Sequence, residues 1–166
     1  MWTVAALYVA EGLPAGIFHD LVQVWLLEVH EVSLGELGLV SLLAMPWTFK
    51  ALWSPLVDRY GTAARWISGA LLAVGLVTTA LPLLPPGLPV WAMLGVLTTA
   101  SATADVAIDG YTATVVPSEL HGRVNGWRVA AYRAAMLVAG GGAVAAAAWV
   151  DWRLIFGIVG LCTILL

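Results

Sequence analysis

Apolar residues fall in long runs along this chain rather than in stripes. The runs extend from Trp2 to Leu27, Leu37 to Val57, Trp66 to Leu84, Val90 to Val116 and Val124 to Val150. Polar positions inside them are too sparse for a 3.6-residue alternation to dominate, so the pattern implies burial in lipid rather than one buried face. A helix crosses a hydrocarbon core of about 30 Å in roughly 20 residues, and each of the five runs meets that length. A sixth run, Leu154 to Leu166, reaches only about 20 Å at about 1.5 Å per residue and is predicted to be a truncated span. The expected fold is all-α, a polytopic transmembrane helix bundle forming a single domain over residues 1–166.

The connections between runs carry turn chemistry of their own. Ser33-Leu-Gly35-Glu36 has capping-box spacing, four prolines punctuate Pro82 to Pro89, and Pro117 and Gly122 bracket another turn. With a cytoplasmic N-terminus, the inward turns hold Arg59, Arg65 and Arg123, with Lys50 and Arg128 near the same face, whereas the outward turns hold only Arg153. Lys and Arg near span ends are retained on the cytoplasmic side, so the asymmetry predicts that orientation.

Composition agrees with the pattern. Hydrophobic residues make up 61% of the 166 and charged residues only 10%, far from the balance of a soluble domain. A net charge of -3 without clustered Lys and Arg gives no support to nucleic-acid binding. The single cysteine, Cys162, excludes an internal disulfide and a Cys-rich metal site. No cofactor or metal is expected.

Charges inside spans are costly and face a bundle interior or a water-filled path. Glu11 lies roughly 15 Å into the first run, near the midplane, and Pro14 follows it and removes a backbone hydrogen bond. On a straight helix His19 falls within about 80° of Glu11, whereas Asp20 points about 180° away. Asp105 and Asp109 share a face at i and i+4 in the fourth run and would repel each other unless a cation intervened. The fifth run supplies Arg128, Tyr132 and Arg133, and matched depths predict an Asp109–Arg133 pair. Gly12 with Gly16, and Gly140 to Gly142, are expected to allow close helix approach.

Asp105 and Asp109 keep a membrane enzyme open as an alternative. Yet Ser101 stands where a prenyltransferase motif needs an acidic or amide residue, and three residues separate the aspartates where a phosphotransferase motif has two. No phosphate loop, zinc-ligand set or partnered nucleophile is present.

The turn Asp58-Arg59-Tyr60-Gly61 between the second and third runs resembles the signature loop of the major facilitator superfamily. Within it, the passages Glu11-Gly-Leu-Pro14, Leu43-Ala-Met-Pro-Trp47 through Lys50-Ala-Leu-Trp-Ser-Pro-Leu-Val-Asp-Arg-Tyr60, Ser101-Ala-Thr-Ala-Asp105-Val-Ala-Ile-Asp109 and Tyr132-Arg133-Ala-Ala-Met136 are similar to AmpG-type permeases. The resemblance implies the N-terminal six-helix half of a transporter, with a C-terminal half required, working by alternating access in a bacterial inner membrane. Its implied cargo is a small polar, muropeptide-like solute carried with protons. Glu11, His19, Asp105, Asp109, Arg128, Tyr132 and Arg133 would line the solute and proton pathway; Asp58, Arg59, Gly61 and Arg65 would form the gating loop. A non-transporting remnant or scaffold is the other alternative.

Overall fold

The computed structural model describes residues 2–166, which are helical almost throughout, with no strand among them. Met1, from which a cytoplasmic N-terminus is counted, lies outside the described residues. The chain begins with a continuous helical run: α1 (Trp2–Gly16), a π-helical turn (Ile17–Leu21) and α2 (Val22–His30). The run stops at Glu31, which takes the left-handed conformation at φ 51°. Ser33 then opens α3 (Leu34–Val40) with the expected capping box: its Oγ accepts from the Glu36 N–H, and Glu36 Oε2 accepts from the Ser33 N–H at 2.9 Å. Those bonds favour the ionised carboxyl and hold Glu36 below its ordinary pKa.

The stretch Leu37–Val57, expected as one uninterrupted helix, is broken. A 3-10 turn (Ser41–Ala44) leads to α4 (Met45–Phe49), and another (Lys50–Leu52) leads to α5 (Ser54–Arg59). Pro46 and Pro55 supply the reason. Each sits in the first turn of its short helix, where a missing N–H is tolerated, and each denies the preceding turn a hydrogen bond.

The later helices are straighter. They are α6 (Ala63–Ala80), α7 (Leu88–Val115), α8 (His121–Leu137) with a π-helical turn (Val138–Gly142) into α9 (Ala143–Ala146), and α10 (Trp152–Leu165). Among the described residues, three stretches are helices long and apolar enough to cross a membrane: Ala63–Leu83, Leu88–Val115 and His121–Ala146.

Small residues set the closest packing. A Cβ at Gly12 would run into the Tyr132 carbonyl and one at Gly16 into that of Met136, so α1 lies directly on α8. Gly75 and Gly160 face each other in the same way between α6 and α10, and α6 also packs along α7. Gly140, in the second π turn, leaves room for the Asp20 carboxylate of the first. The aliphatic and aromatic core divides in two. One cluster surrounds Phe18, Trp25, Leu97 and Phe156, the other Tyr8, Val57, Ile67 and Ile108. Buried Thr78, Thr98 and Thr163 satisfy their hydroxyls on carbonyls one turn back.

Candidate functional site: a charge cluster beside an aromatic cavity

Five charged side chains from four elements meet inside the helix assembly. Arg128 of α8 reaches Glu11 of α1, with Nη2 donating to Oε1 at 3.2 Å, and Asp109 of α7, with Nη1 2.9 Å from Oδ1. Lys50 places Nζ 3.5 Å from Asp105 Oδ2 and 3.8 Å from Asp109 Oδ2. The guanidinium also lies over the Tyr8 ring, 4.8 Å from its centroid. Charges thus alternate along Asp105, Lys50, Asp109, Arg128 and Glu11, which is how a low-dielectric interior tolerates them. With every group ionised, three carboxylates meet two cations and one negative charge is left over. Glu11 and Asp105 are the most buried of the five, and Glu11 Oε2 and Asp105 Oδ1 have no hydrogen-bond donor among the described residues.

A cavity of about 380 Å³ opens beside this cluster. Glu11, Lys50, Asp105, Tyr132, His19 and Trp47 are among its lining residues. The π turn directs His19 toward Trp47, where the two rings stack at 5.7 Å between centroids and 26° between planes; Phe18 meets Trp47 edge-on at 5.5 Å. Asp20, on the other side of the turn, goes to Gly140 and away from the cavity.

Of the residues singled out in the sequence, Glu11, Asp105, Asp109, Arg128, Tyr132 and His19 are brought together here. Arg133 is not. The predicted Asp109–Arg133 pair does not form: Arg128 and Lys50 occupy Asp109, while Arg133 is exposed. The two arginines are five positions apart, about 140° around a helix, so only one can face α1 and α7. Lys50 and Trp47 were not among the predicted site residues. The available signal was a lone lysine inside an apolar run, but the orientation argument counted it with the arginines near the cytoplasmic face.

The turn after α5 forms a separate feature. Asp58 and Arg59 are exposed, Asp58 lying beside Gly110 of α7 and Arg59 over the Tyr60 ring. Gly61 takes φ 83°, a conformation that disfavours a Cβ, and Trp66 Nε1 donates to the Tyr60 carbonyl to close the turn. The Arg65 N–H donates to Thr62 Oγ1 at 3.4 Å as α6 begins.

The profile of the Major Facilitator Superfamily matches residues 2–166. The chain belongs to that superfamily. Within the superfamily it is 33% identical over 153 residues to the anhydromuropeptide permease of Escherichia coli, covering 87% of this chain and 31% of the relative. It is 24% identical to a putative transporter named AmpG 4 from Rickettsia conorii, over 97% of this chain and 42% of the relative. A protein of Haemophilus influenzae matches at 28%, over 91% of this chain and 37% of that one. The chain is therefore an AmpG-like superfamily member that spans about a third of the length of these curated relatives.

Proposed function

We propose that this superfamily chain is the N-terminal, six-helix half of a proton-coupled secondary transporter that moves a small polar, muropeptide-like solute across a bacterial inner membrane. The observation that carries the reading is the cluster in which buried Glu11 and Asp105, with half-buried Asp109, meet Lys50 and Arg128 at the wall of a cavity. One carboxylate in excess of the cations gives a proton a place to bind, and Glu11 or Asp105 is its carrier because these two are the most buried. Alternating access then needs a second wall, which a C-terminal half supplies. The relative named an anhydromuropeptide permease supports the solute class.

The Asp58–Arg59–Gly61 turn and Arg65 gate the assembly at the cytoplasmic ends of the helices. A membrane enzyme fits less well, since Lys50 sits between Asp105 and Asp109 where a bridging metal would have to bind. Reconstitution tests the whole reading. The chain combined with a complementary C-terminal half should take up labelled anhydromuropeptide under an inward acid gradient, while the chain alone should not. Uptake by the chain alone would remove the half-transporter reading, and uptake indifferent to the gradient would remove proton coupling.

A further inference from the structure

A separate cavity of about 760 Å³ runs along the groove between α6 and α7, and none of the five clustered charges lines it. Both helices belong to stretches that can cross a membrane, so the groove lies at bilayer depth. Small residues keep it open: a Cβ added at Gly69 or Gly95 would meet nothing within 4 Å. The hydroxyls along the α7 wall are already satisfied inside the protein. Thr99 donates to the Gly95 carbonyl at 2.7 Å, and Thr103 donates to the Thr99 carbonyl at 2.8 Å while accepting from Trp53 Nε1. The wall therefore asks its occupant for apolar contact and no hydrogen bond. One end differs, where Arg65 and half-buried Trp66 line the cavity at the start of α6. Arg65 is exposed, and among the described residues its guanidinium has no ion pair. With Arg59 and Asp58 of the preceding turn counted, two cations against one carboxylate leave this end one net positive charge. From Thr103 to Ala92 the α7 wall rises about 16 Å at about 1.5 Å per residue, roughly half of a 30 Å hydrocarbon core and so the depth of one leaflet.

We propose that the α6–α7 groove binds one anionic phospholipid of the cytoplasmic leaflet, with its phosphate on Arg65 and an acyl chain laid over Gly69 and Gly95. An apolar trough one leaflet deep, with a lone guanidinium at its mouth, is complementary to an amphiphile that carries a negative head, and guanidinium matches phosphate in a two-pronged hydrogen bond. The leaflet follows from charge asymmetry, since cationic span ends are held inward and anionic lipids face the cytoplasm. The site needs the chain to be embedded in a bilayer; it does not need the transport reading.

The test places the chain in detergent micelles with equal amounts of phosphatidylglycerol and phosphatidylcholine and counts bound lipid by native mass spectrometry. One phosphatidylglycerol should be retained in preference to phosphatidylcholine. Arg65→Gln should cut that preference about fivefold, the worth of one cation near an anionic headgroup. Gly69→Leu and Gly95→Leu place their side chains in open space, so both should fold, as circular dichroism checks, and both should lower retention of either lipid by filling the trough. Arg153→Gln, at the start of α10 and outside the groove, should match the wild type. Glycerol 3-phosphate, which has the head without the chains, should not displace the lipid. Displacement by it would make this a free-phosphate site and overturn the proposal. Equal retention of the two lipids by the wild type, or unchanged retention in Arg65→Gln or in both folded leucine variants, overturns it as well. So does stoichiometric loss of the lipid when a complementary C-terminal half is added, which would give the groove to a protein helix.

Discussion

Arg128 holds carboxylates from two different helices, and the consequence of removing it follows from what is left behind. Arg128→Ala strands Glu11, only 7% exposed, and leaves Asp109 with Lys50 as its one cation. Breaking a fully buried pair costs roughly 3–5 kcal/mol; Arg128 keeps part of its side chain exposed, so a loss of about 2 kcal/mol is expected. Glu11→Gln in the same chain should restore part of that loss by removing one stranded charge. Thermal unfolding of the two single variants and the double variant in detergent measures the coupling. Arg133→Ala should leave the midpoint unchanged, since that side chain is exposed and Arg128 already takes Asp109. The carboxylates of the site were legible in the sequence because an acidic residue inside an apolar run has few affordable positions. Lys50 and Trp47 were not, because their direction depends on two 3-10 turns that no residue-by-residue charge argument contains.

Between elements, the seam of α1 and α8 depends on side chains that are absent. Gly12→Leu or Gly16→Leu pushes a branched side chain into a backbone carbonyl, which cannot yield as a flexible side chain would. A loss of roughly 1–3 kcal/mol in unfolding free energy is expected for either, and separation of α1 from α8 would disperse Glu11 and Arg128 as well. Gly95→Ala is the contrast. Its Cβ would meet nothing within 4 Å, and exchanging glycine for alanine in a helix interior should raise stability by up to about 1 kcal/mol.

The cap of α3 adds a pH signature. Because the folded pKa of Glu36 is lowered, its contribution is present above the unfolded value and is lost as pH falls through the folded one. Ser33→Ala should therefore destabilise most at neutral pH, and the difference from wild type should shrink in acid unfolding below about pH 4. The capping box and the straight helices α6 and α7 could be read from spacing alone. The paired π turns could not: Asp20 faces Gly140 only because both helices widen at the same level, a fit between distant segments that local pattern does not encode.

Across the whole molecule, the two ends of the helix assembly differ in charge. Val4 and Ala5 at the start of α1 share a pocket with Pro117, Leu120 and Arg123, and Asp58 lies beside Gly110 near the end of α7. The turns at residues 58–62 and 116–123 therefore lie at one end with Arg59, Arg65 and Arg123. At the other end, Trp25 packs on Phe156 and Phe156 on Trp152, beside Arg153. Cationic side chains near span ends are held on the cytoplasmic side, so the arginine-rich end should face inward. In a Cys162→Ser background, Ala64→Cys and Gly122→Cys should resist a membrane-impermeant maleimide in intact cells and react after permeabilisation. Pro86→Cys and Ala148→Cys, both at exposed turn positions, should react in intact cells. The reverse labelling would turn the molecule over and place the Asp58–Arg59 turn outside. It would also take the gating role from that turn, because the cytoplasmic helix ends that must part when the inner gate opens would then be at the opposite side of the assembly.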